Sequence, residues 1–159
     1  MSSEEQLLVR KIDWGTVIDH IPNWRADQVL KLIEVESLIK EPDVSVIVLK
    51  SVPSRKYGKK DVIKLYHYFI KEPDAALIKL LFPTVTINFI KDWKVQKYVP
   101  NLPEELVGKV RCPEVTCISN ARREPVVRRF AVLKEKGYVR CYYCDALLEI
   151  SSIPDFIAA

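Results

Sequence analysis

The stretches RCPEVTCISN (111–120) and RCYYCDAL (140–147) contain all four cysteines of the chain, two in each stretch. Their spacing is C-x4-C and then C-x2-C, with 23 residues between the two pairs. Zinc prefers four ligands in a tetrahedron and binds thiolates well, and two close pairs on tight turns can direct four sulfurs to one point. The pattern therefore predicts one structural zinc ion per chain, with the ligands Cys112, Cys117, Cys141 and Cys144.

Two other uses of four cysteines remain open at this point. A four-cysteine set also binds iron–sulfur clusters. Disulfides are the second alternative, but the N-terminus MSSEEQLLVRKIDW lacks the basic start and long apolar run of a secretory signal. We therefore expect a cytoplasmic protein, in which thiols stay reduced. Four thiolates leave no open coordination position, which argues against a catalytic zinc.

The size of the cysteine region supports a metal. The stretch YVPNLPEELVGK (98–109) contains two prolines and little apolar periodicity, so we place a domain boundary there, between residues 1–100 and 101–159. A second domain of this size has too little apolar core to fold without a metal or another cross-link. Short β patterns in VVRRFAVLKE and YVRCYYC predict a small all-β, zinc-ribbon-like domain.

The sequence of the first domain predicts an α+β fold with one sheet. Helical periodicity covers 24–39, with Asn23 as N-cap, and 71–82, with Pro73 in the first turn. Alternating or β-branched runs predict strands at 7–12, 15–21, 44–52, 60–70 and 84–95. This order, an extra strand followed by β-α-β-β-α-β, predicts a ferredoxin-like sheet with both helices on one face and the other face free.

Polar residues on these strands suggest a ligand. Asp19 and His20 end one strand, Lys60 and Lys64 share a face of another, and Asn88 occupies a strand position that disfavours asparagine. Lysines suit phosphate, and a carboxylate can accept hydrogen bonds from ribose hydroxyls. There is no Walker-type loop or nucleophile–base pair, so the set indicates nucleotide binding rather than cleavage. Solvated charge on an open sheet face is the alternative.

Asp19 and His20 set a structural condition. Successive residues of a regular strand point to opposite faces. Both side chains can reach one ligand only if the strand ends or bulges there.

The motifs GTVIDHIP (15–22), GKKDVIK (58–64) and TVTIN (84–88), followed by the four cysteines, resemble the regulatory chain of aspartate carbamoyltransferase over nearly the full length. The resemblance implies an N-terminal domain that binds the effectors CTP and ATP and pairs with itself. It also implies a zinc domain that docks on the catalytic chain, and a role in pyrimidine biosynthesis without catalysis by this chain.

The same resemblance implies residue roles. Asp19 corresponds to a ribose ligand, His20 and Asn88 to phosphate-side contacts, and Lys64 to a base and ribose contact with Lys60 beside it. Lys97, or alternatively Lys94, corresponds to the triphosphate lysine. The apolar walls around the base are Ile12, Val17, Ile90, Trp93 and Val95. Arg10 replaces an acidic residue near the base, which leaves the base preference open, and the basic turn SRKYGKK (54–60) has no counterpart that explains it.

Two other functions are alternatives to the hypothesis of a regulatory chain. A β-α-β-β-α-β sheet with a zinc ribbon is also an RNA-binding architecture, but KKDVIKLYHYF does not match the aromatic RNP signature. A zinc enzyme is the other alternative, against which the closed four-cysteine set argues. The composition, 48% hydrophobic and 29% charged with a net charge of +4 and no long apolar run, is that of a globular chain that needs no membrane.

Overall fold

A computed structural model describes residues 12–123 and 125–158. The chain divides into two compact units, Met1–Asn101 and Leu102–Ala159. Most of the predicted strand 7–12, including Arg10, lies outside the described residues, and Ile12 is the first of them. No helix in the described part of the chain is long and apolar enough to cross a membrane.

The N-terminal unit contains one antiparallel sheet. Its strands are β1 (Trp14–Pro22), β2 (Ser45–Ser54), β3 (Gly58–Tyr66), β4 (Thr86–Lys91) and β5 (Lys94–Tyr98). The order across the sheet is β2-β3-β1-β4-β5. The first four strands have the arrangement expected of a ferredoxin-like β-α-β-β-α-β unit, and β5 extends its edge. The predicted α+β class is confirmed.

The described part of this unit has three helical segments, α1 (Ala26–Leu32), α2 (Val35–Leu38) and α3 (Glu72–Leu81). Of these, α1 and α3 bury residues against one face of the sheet. The buried strand residues on that face include Ile18, Ile63 and Leu65, each fully enclosed. Thr16, on the same face, accepts a hydrogen bond from the backbone N–H of Ile70 and donates one to the carbonyl of Tyr68. We call the other side of the sheet the distal face; β1 presents Val17 and Asp19 there.

The start of α1 differs from the prediction. Asn23 is not the N-cap; the first residue outside the helix is Arg25, without a side-chain cap. Instead, the Asp61 carboxylate of β3 accepts the backbone N–H of Ala26 at 3.0 Å and that of Ser51 at 2.8 Å. Asp61 is fully buried, so a single carboxylate joins the first helix, β3 and an irregular point of β2.

Three predicted elements have different bounds. The strand predicted over 84–95 is a hairpin, because Asp92 and Trp93 both have positive φ, +50° and +65°, and turn the chain between β4 and β5. The helix predicted over 24–39 is broken at Glu34, whose φ is +55°. The strand predicted over 60–70 ends at Tyr66, where His67 turns with φ +60°.

The C-terminal unit is built on a second antiparallel sheet in the order β6-β7-β8-β9. These strands are Glu105–Val107, Arg129–Leu133, Tyr138–Cys141 and Leu147–Glu149. The two β patterns in the sequence correspond to β7 and β8. The chain end packs onto this unit: Val110 pairs with Ile157, and Ile153 and Ile157 are buried. The small all-β domain with a cysteine cluster is confirmed.

Candidate functional site

The four cysteines meet at one point. Their sulfurs all lie within 4.8 Å of one another, with 3.5 Å between Cys112 and Cys144 and 3.7 Å between Cys117 and Cys141. A disulfide needs a sulfur separation of about 2.05 Å. Tetrahedral zinc with Zn–S bonds of about 2.3 Å separates its sulfurs by about 3.8 Å. The spacing of the thiols therefore fits a four-sulfur metal site.

Two compact turns bring the sulfurs together. In the first, the Cys117 N–H donates to the carbonyl of Glu114, and the Asn120 side-chain amide donates to the carbonyls of Cys112 and Glu114. In the second, Cys141 N–H donates to the Ala146 carbonyl. Hydrogen bonds to backbone groups thus hold each pair of cysteines on its own turn. Because each turn is local, the spacing of the cysteines in the sequence predicts it.

Hydrogen bonds to sulfur favour the thiolate form that metals bind. Burial raises the pKa of Cys117, but hydrogen bonds from the hydroxyl and backbone N–H of Ser119, and from Cys144 and Cys141, outweigh this effect and lower the pKa to about 7. Burial also raises the pKa of Cys112 and of Cys144, and in both cases a backbone hydrogen bond to the sulfur, from Glu114 and Ala146, opposes the rise. Ser119, which the sequence analysis did not single out, lies 3.1 Å from the Cys117 sulfur.

The predicted nucleotide residues of the N-terminal unit form a row across the sheet. Val17 of β1 pairs with Lys64 of β3 on one side and with Asn88 of β4 on the other. Asn88 in turn pairs with Lys97 of β5. Directly paired residues of antiparallel strands share a face, so all four side chains lie on the distal face. Lys94 lies at an odd offset from Lys97 and belongs to the opposite face.

Asp19 and Lys60 extend this row. The Lys60 ammonium lies 2.9 Å from the Asp19 carboxylate. Lys64 is only 3% exposed. Burial lowers the pKa of Lys64, and the nearby charge of Asp19 raises it in part. The site therefore combines one paired and one buried lysine beside the same carboxylate.

The bulge that Asp19 and His20 require is present. Between Ile18 and Ile21, β1 has one residue more than β3, and His20 has a φ of +57°. The His20 Nδ1 lies 3.0 Å from the Thr86 hydroxyl, whose strand position is on the distal face. Both side chains therefore serve the same face. Thr84 Oγ1 donates to the His20 carbonyl at 3.0 Å and holds the bulge.

Apart from Val17, the predicted apolar residues lie toward the Gly15 end of β1, where Ile90 and Val95 are on the distal face. Ile90 pairs with Gly15 and Val95, one row from Val17. Ile90 is buried, whereas Val95 and Trp93 are 68% and 62% exposed. The backbone N–H of Trp93 donates to the Asp13 carbonyl, next to buried Ile12. The structure thus gathers Ile12, Ile90, Trp93 and Val95 at one end and the charged groups at the other.

Thr86, Thr84 and Asp61 support the site without having been singled out from the sequence. Thr86 belongs to the quoted motif TVTIN, and its alternation with Asn88 is a signal that places it on the same face. Asp61 lies between Lys60 and Lys64 but faces the helices. Its partners are 10 and 35 residues away in sequence, so no local pattern reveals its role.

Family models match residues in both units of the chain. The family model for the aspartate carbamoyltransferase regulatory chain, allosteric domain, matches residues 7–100. The model for the metal binding domain of the same chain matches residues 104–153, which include all four cysteines. With the sulfur geometry above, this identifies the cluster as the site of one structural zinc ion.

Full-length relatives carry the same name. The aspartate carbamoyltransferase regulatory chain of Archaeoglobus fulgidus is 39% identical over 91% of this chain and 94% of its own length. That of Thermofilum pendens is 41% identical over 96% and 95%, and that of Methanocaldococcus jannaschii 40% over 91% and 93%. A regulatory chain is a non-catalytic subunit. The chain therefore belongs to the family of aspartate carbamoyltransferase regulatory chains.

Proposed function

We propose that this chain binds the nucleotide effectors CTP and ATP on the distal face of residues 1–100. It transmits their effect to the catalytic chains of aspartate carbamoyltransferase, in pyrimidine biosynthesis in the cytoplasm. The observation that carries the proposal is the row Lys64–Val17–Asn88–Lys97, continued by Asp19 and His20. Six residues from four strands occupy one face, and together they offer cations, amide donors and a carboxylate.

The polarity of the face suggests how a nucleotide lies on it. The base contacts the apolar end, where Ile12, Ile90, Trp93 and Val95 gather, with Val17 beneath it. The ribose lies at Asp19, which accepts hydrogen bonds from its hydroxyls as acidic residues do in dinucleotide sites. Lys64 reaches the base and ribose, and Lys60 balances Asp19. The phosphates lie toward His20, Asn88 and Lys97.

Lys97 is favoured over Lys94 as the triphosphate lysine. Lys97 pairs with Asn88 and therefore shares its face, whereas strand alternation directs Lys94 to the helix side. Lys97 is also exposed, so it can reach a ligand. This gives the proposal a matched pair of lysines three positions apart.

Residues 101–159 serve as the docking domain in this proposal, and the zinc site shapes the surface that contacts the catalytic chain. Regulatory chains associate in pairs through residues 1–100. A nucleotide can shift such an assembly only by binding one of its states better than the other, typically by about 1–3 kcal/mol.

Calorimetric titration of the purified chain with CTP, ATP and a short RNA tests the nucleotide site. We expect saturable CTP or ATP binding that weakens at least tenfold, about 1.4 kcal/mol, in Lys64→Ala and in His20→Ala. Lys94→Ala removes a comparable charge from the opposite face and should change affinity less than twofold. RNA binding without a mononucleotide site would contradict the proposal and favour a nucleic-acid function.

A further inference from the structure

The tip of the β2–β3 hairpin is a charged feature that the proposed site does not use. Ser54 pairs with Gly58, which leaves Arg55, Lys56 and Tyr57 as a three-residue loop. Gly58 has a φ of +79°, and the Ser54 hydroxyl accepts the Tyr57 N–H at 3.2 Å. A glycine with positive φ after a three-residue loop is a common hairpin closure. The tip therefore has a defined conformation.

Tyr57 connects this tip to the bulge of β1. Its ring lies 6.1 Å from the His20 ring, in an edge-on arrangement of 72°. The Lys56 ammonium lies 5.4 Å from the centre of the Tyr57 ring. Through these two contacts, the Tyr57 ring links the cationic tip to the histidine at the phosphate end of the proposed site.

The charged side chains at this end differ in whether they already have a partner. Lys60 is already paired with Asp19. Arg55 and Lys56 are exposed, and neither forms an ion pair within residues 12–123 and 125–158. An anion beyond His20 would therefore meet the unpaired charges of the tip. A single hairpin tip adds only a short cationic extension, which suits the outer phosphates of one nucleotide rather than a long nucleic-acid backbone.

We propose that Arg55–Tyr57 form a cationic arm of the nucleotide site, which contacts the outer phosphates and makes the site prefer nucleoside triphosphates over monophosphates. Tyr57 acts as the positioning residue through its contact with His20. This inference rests on the proposed nucleotide function and deepens it, because it names what distinguishes the preferred ligand class.

The same hairpin provides a control. Lys59 pairs with Pro53, one position from the pair Val52–Lys60. Strand alternation therefore places Lys59 on the helix side and Lys60 on the distal face. The double variant Lys59→Ser/Lys94→Ser removes two charges from the helix side, and Arg55→Ser/Lys56→Ser removes two from the tip. The net charge changes equally in both.

The experiment measures the affinities of the full chain for CTP and CMP at about 0.15 M salt, where charges more than about 8 Å apart are largely screened. We expect Arg55→Ser/Lys56→Ser to weaken CTP binding about fivefold, as two exposed charge contacts would, and CMP binding less than twofold. The Lys59→Ser/Lys94→Ser variant should keep the CTP-to-CMP ratio of the wild type. Tyr57→Ala should lower this ratio, and Tyr57→Phe, which keeps the ring, should restore it.

The failures are distinguishable. If the wild type binds no nucleotide, the proposed site and the arm are both wrong. If the wild type binds CTP but the tip variant weakens CTP and CMP by the same factor, the arm alone is wrong. An equal loss of the ratio in the Lys59→Ser/Lys94→Ser variant would also overturn the arm, because it would show an effect of overall charge.

Discussion

The two units of this chain are stabilised differently. In the N-terminal unit, helices and sheet enclose a continuous apolar core that includes Ile18, Ile63, Leu65, Ile78 and Ile87. In the C-terminal unit, three buried cysteines take up part of the interior. Its other buried apolar side chains are Leu106, Val110, Phe130, Val139, Leu148, Ile153 and Ile157. We expect the first unit to fold through hydrophobic burial and the second to depend on its metal.

Removing zinc is the largest test of this contrast. Structural zinc contributes about 10–16 kcal/mol in small metal-dependent domains, so chelation should unfold residues 102–159 and leave the N-terminal unit folded. The three tryptophans, Trp14, Trp24 and Trp93, all lie in the N-terminal unit. Their fluorescence should stay unchanged while amide protons of β7 and β8 lose protection from exchange.

The same chelation tests the docking role, because the metal-free chain should no longer associate with the catalytic chain. Retained protection in β7 and β8 without metal would show that the apolar residues of this unit suffice. Retained association after this protection has been lost would show that the zinc domain is not the docking domain.

Gly15→Ala should disrupt the other unit. Gly15 has a φ of +143°, and a Cβ there would lie only 1.9 Å from the Leu65 carbonyl oxygen. Because the neighbouring backbone must shift, we expect the free energy of unfolding to fall by about 3 kcal/mol or more. Thermal unfolding monitored by tryptophan fluorescence measures this change.

Gly108→Ala is the matched control in the C-terminal unit. Gly108 also has a positive φ, +83°, but no atom lies within 4 Å of its added Cβ. The free energy of unfolding of the C-terminal unit should fall by the left-handed backbone penalty alone, about 1–2 kcal/mol, measured by the exchange of the amide protons of β7 and β8. Equal costs for the two substitutions would mean that the contact with Leu65 does not constrain the sheet.

Asp61→Asn comes next in size. Both carboxylate oxygens of Asp61 accept backbone N–H groups, from Ala26 and Ser51. An amide has only one oxygen, so one N–H would face an NH2 group in a buried position. We expect a loss of about 2–3 kcal/mol, measured by urea unfolding with tryptophan fluorescence. Zinc content should not change, and a loss of zinc would mean that the two units are not independent.

The features of each unit that the sequence predicts are those whose contacts join residues close together in the chain. The zinc ligands could be predicted because each pair of cysteines lies on one short turn. A few neighbouring residues in the sequence therefore show their spacing. The row Lys64–Val17–Asn88–Lys97 could be anticipated in part, because alternation assigns faces once the strands are recognised. The register that aligns the four residues depends on pairing between distant strands.

Other features gave no usable local signal. The Asp92–Trp93 turn has positive φ at two residues that are not glycine, so the usual Asn-Gly signature of such a hairpin is missing. The cap of α1 comes from Asp61 rather than from the neighbouring Asn23, because a buried carboxylate on β3 reaches the helix start. At the start of α1, a tertiary contact therefore takes the place of a local cap.

The smallest effect concerns Lys64 and the pH. Burial lowers the pKa of Lys64 below its ordinary value of 10.5, so the unfolded chain binds more protons than the folded one between these two values. The free energy of unfolding therefore rises with pH between the lowered pKa of the folded chain and 10.5. Above 10.5 the buried lysine no longer destabilises the fold through its charge. Lys64→Met removes the buried charge and should raise stability at pH 7, by at most about 1 kcal/mol.

The advantage of Lys64→Met over the wild type should shrink as the pH approaches 10.5, and comparing the two chains cancels the opposite contributions of Tyr68 and Tyr98, whose pKa values are raised by burial. The same variant should lose nucleotide binding in the calorimeter. Together these results would sharpen the contrast between the units, because zinc stabilises the fold that binds it, whereas the N-terminal unit gives up stability to keep a buried cation ready for its ligand. A variant that is less stable than the wild type at pH 7 would show that Lys64 is held by favourable contacts and that no such cost exists.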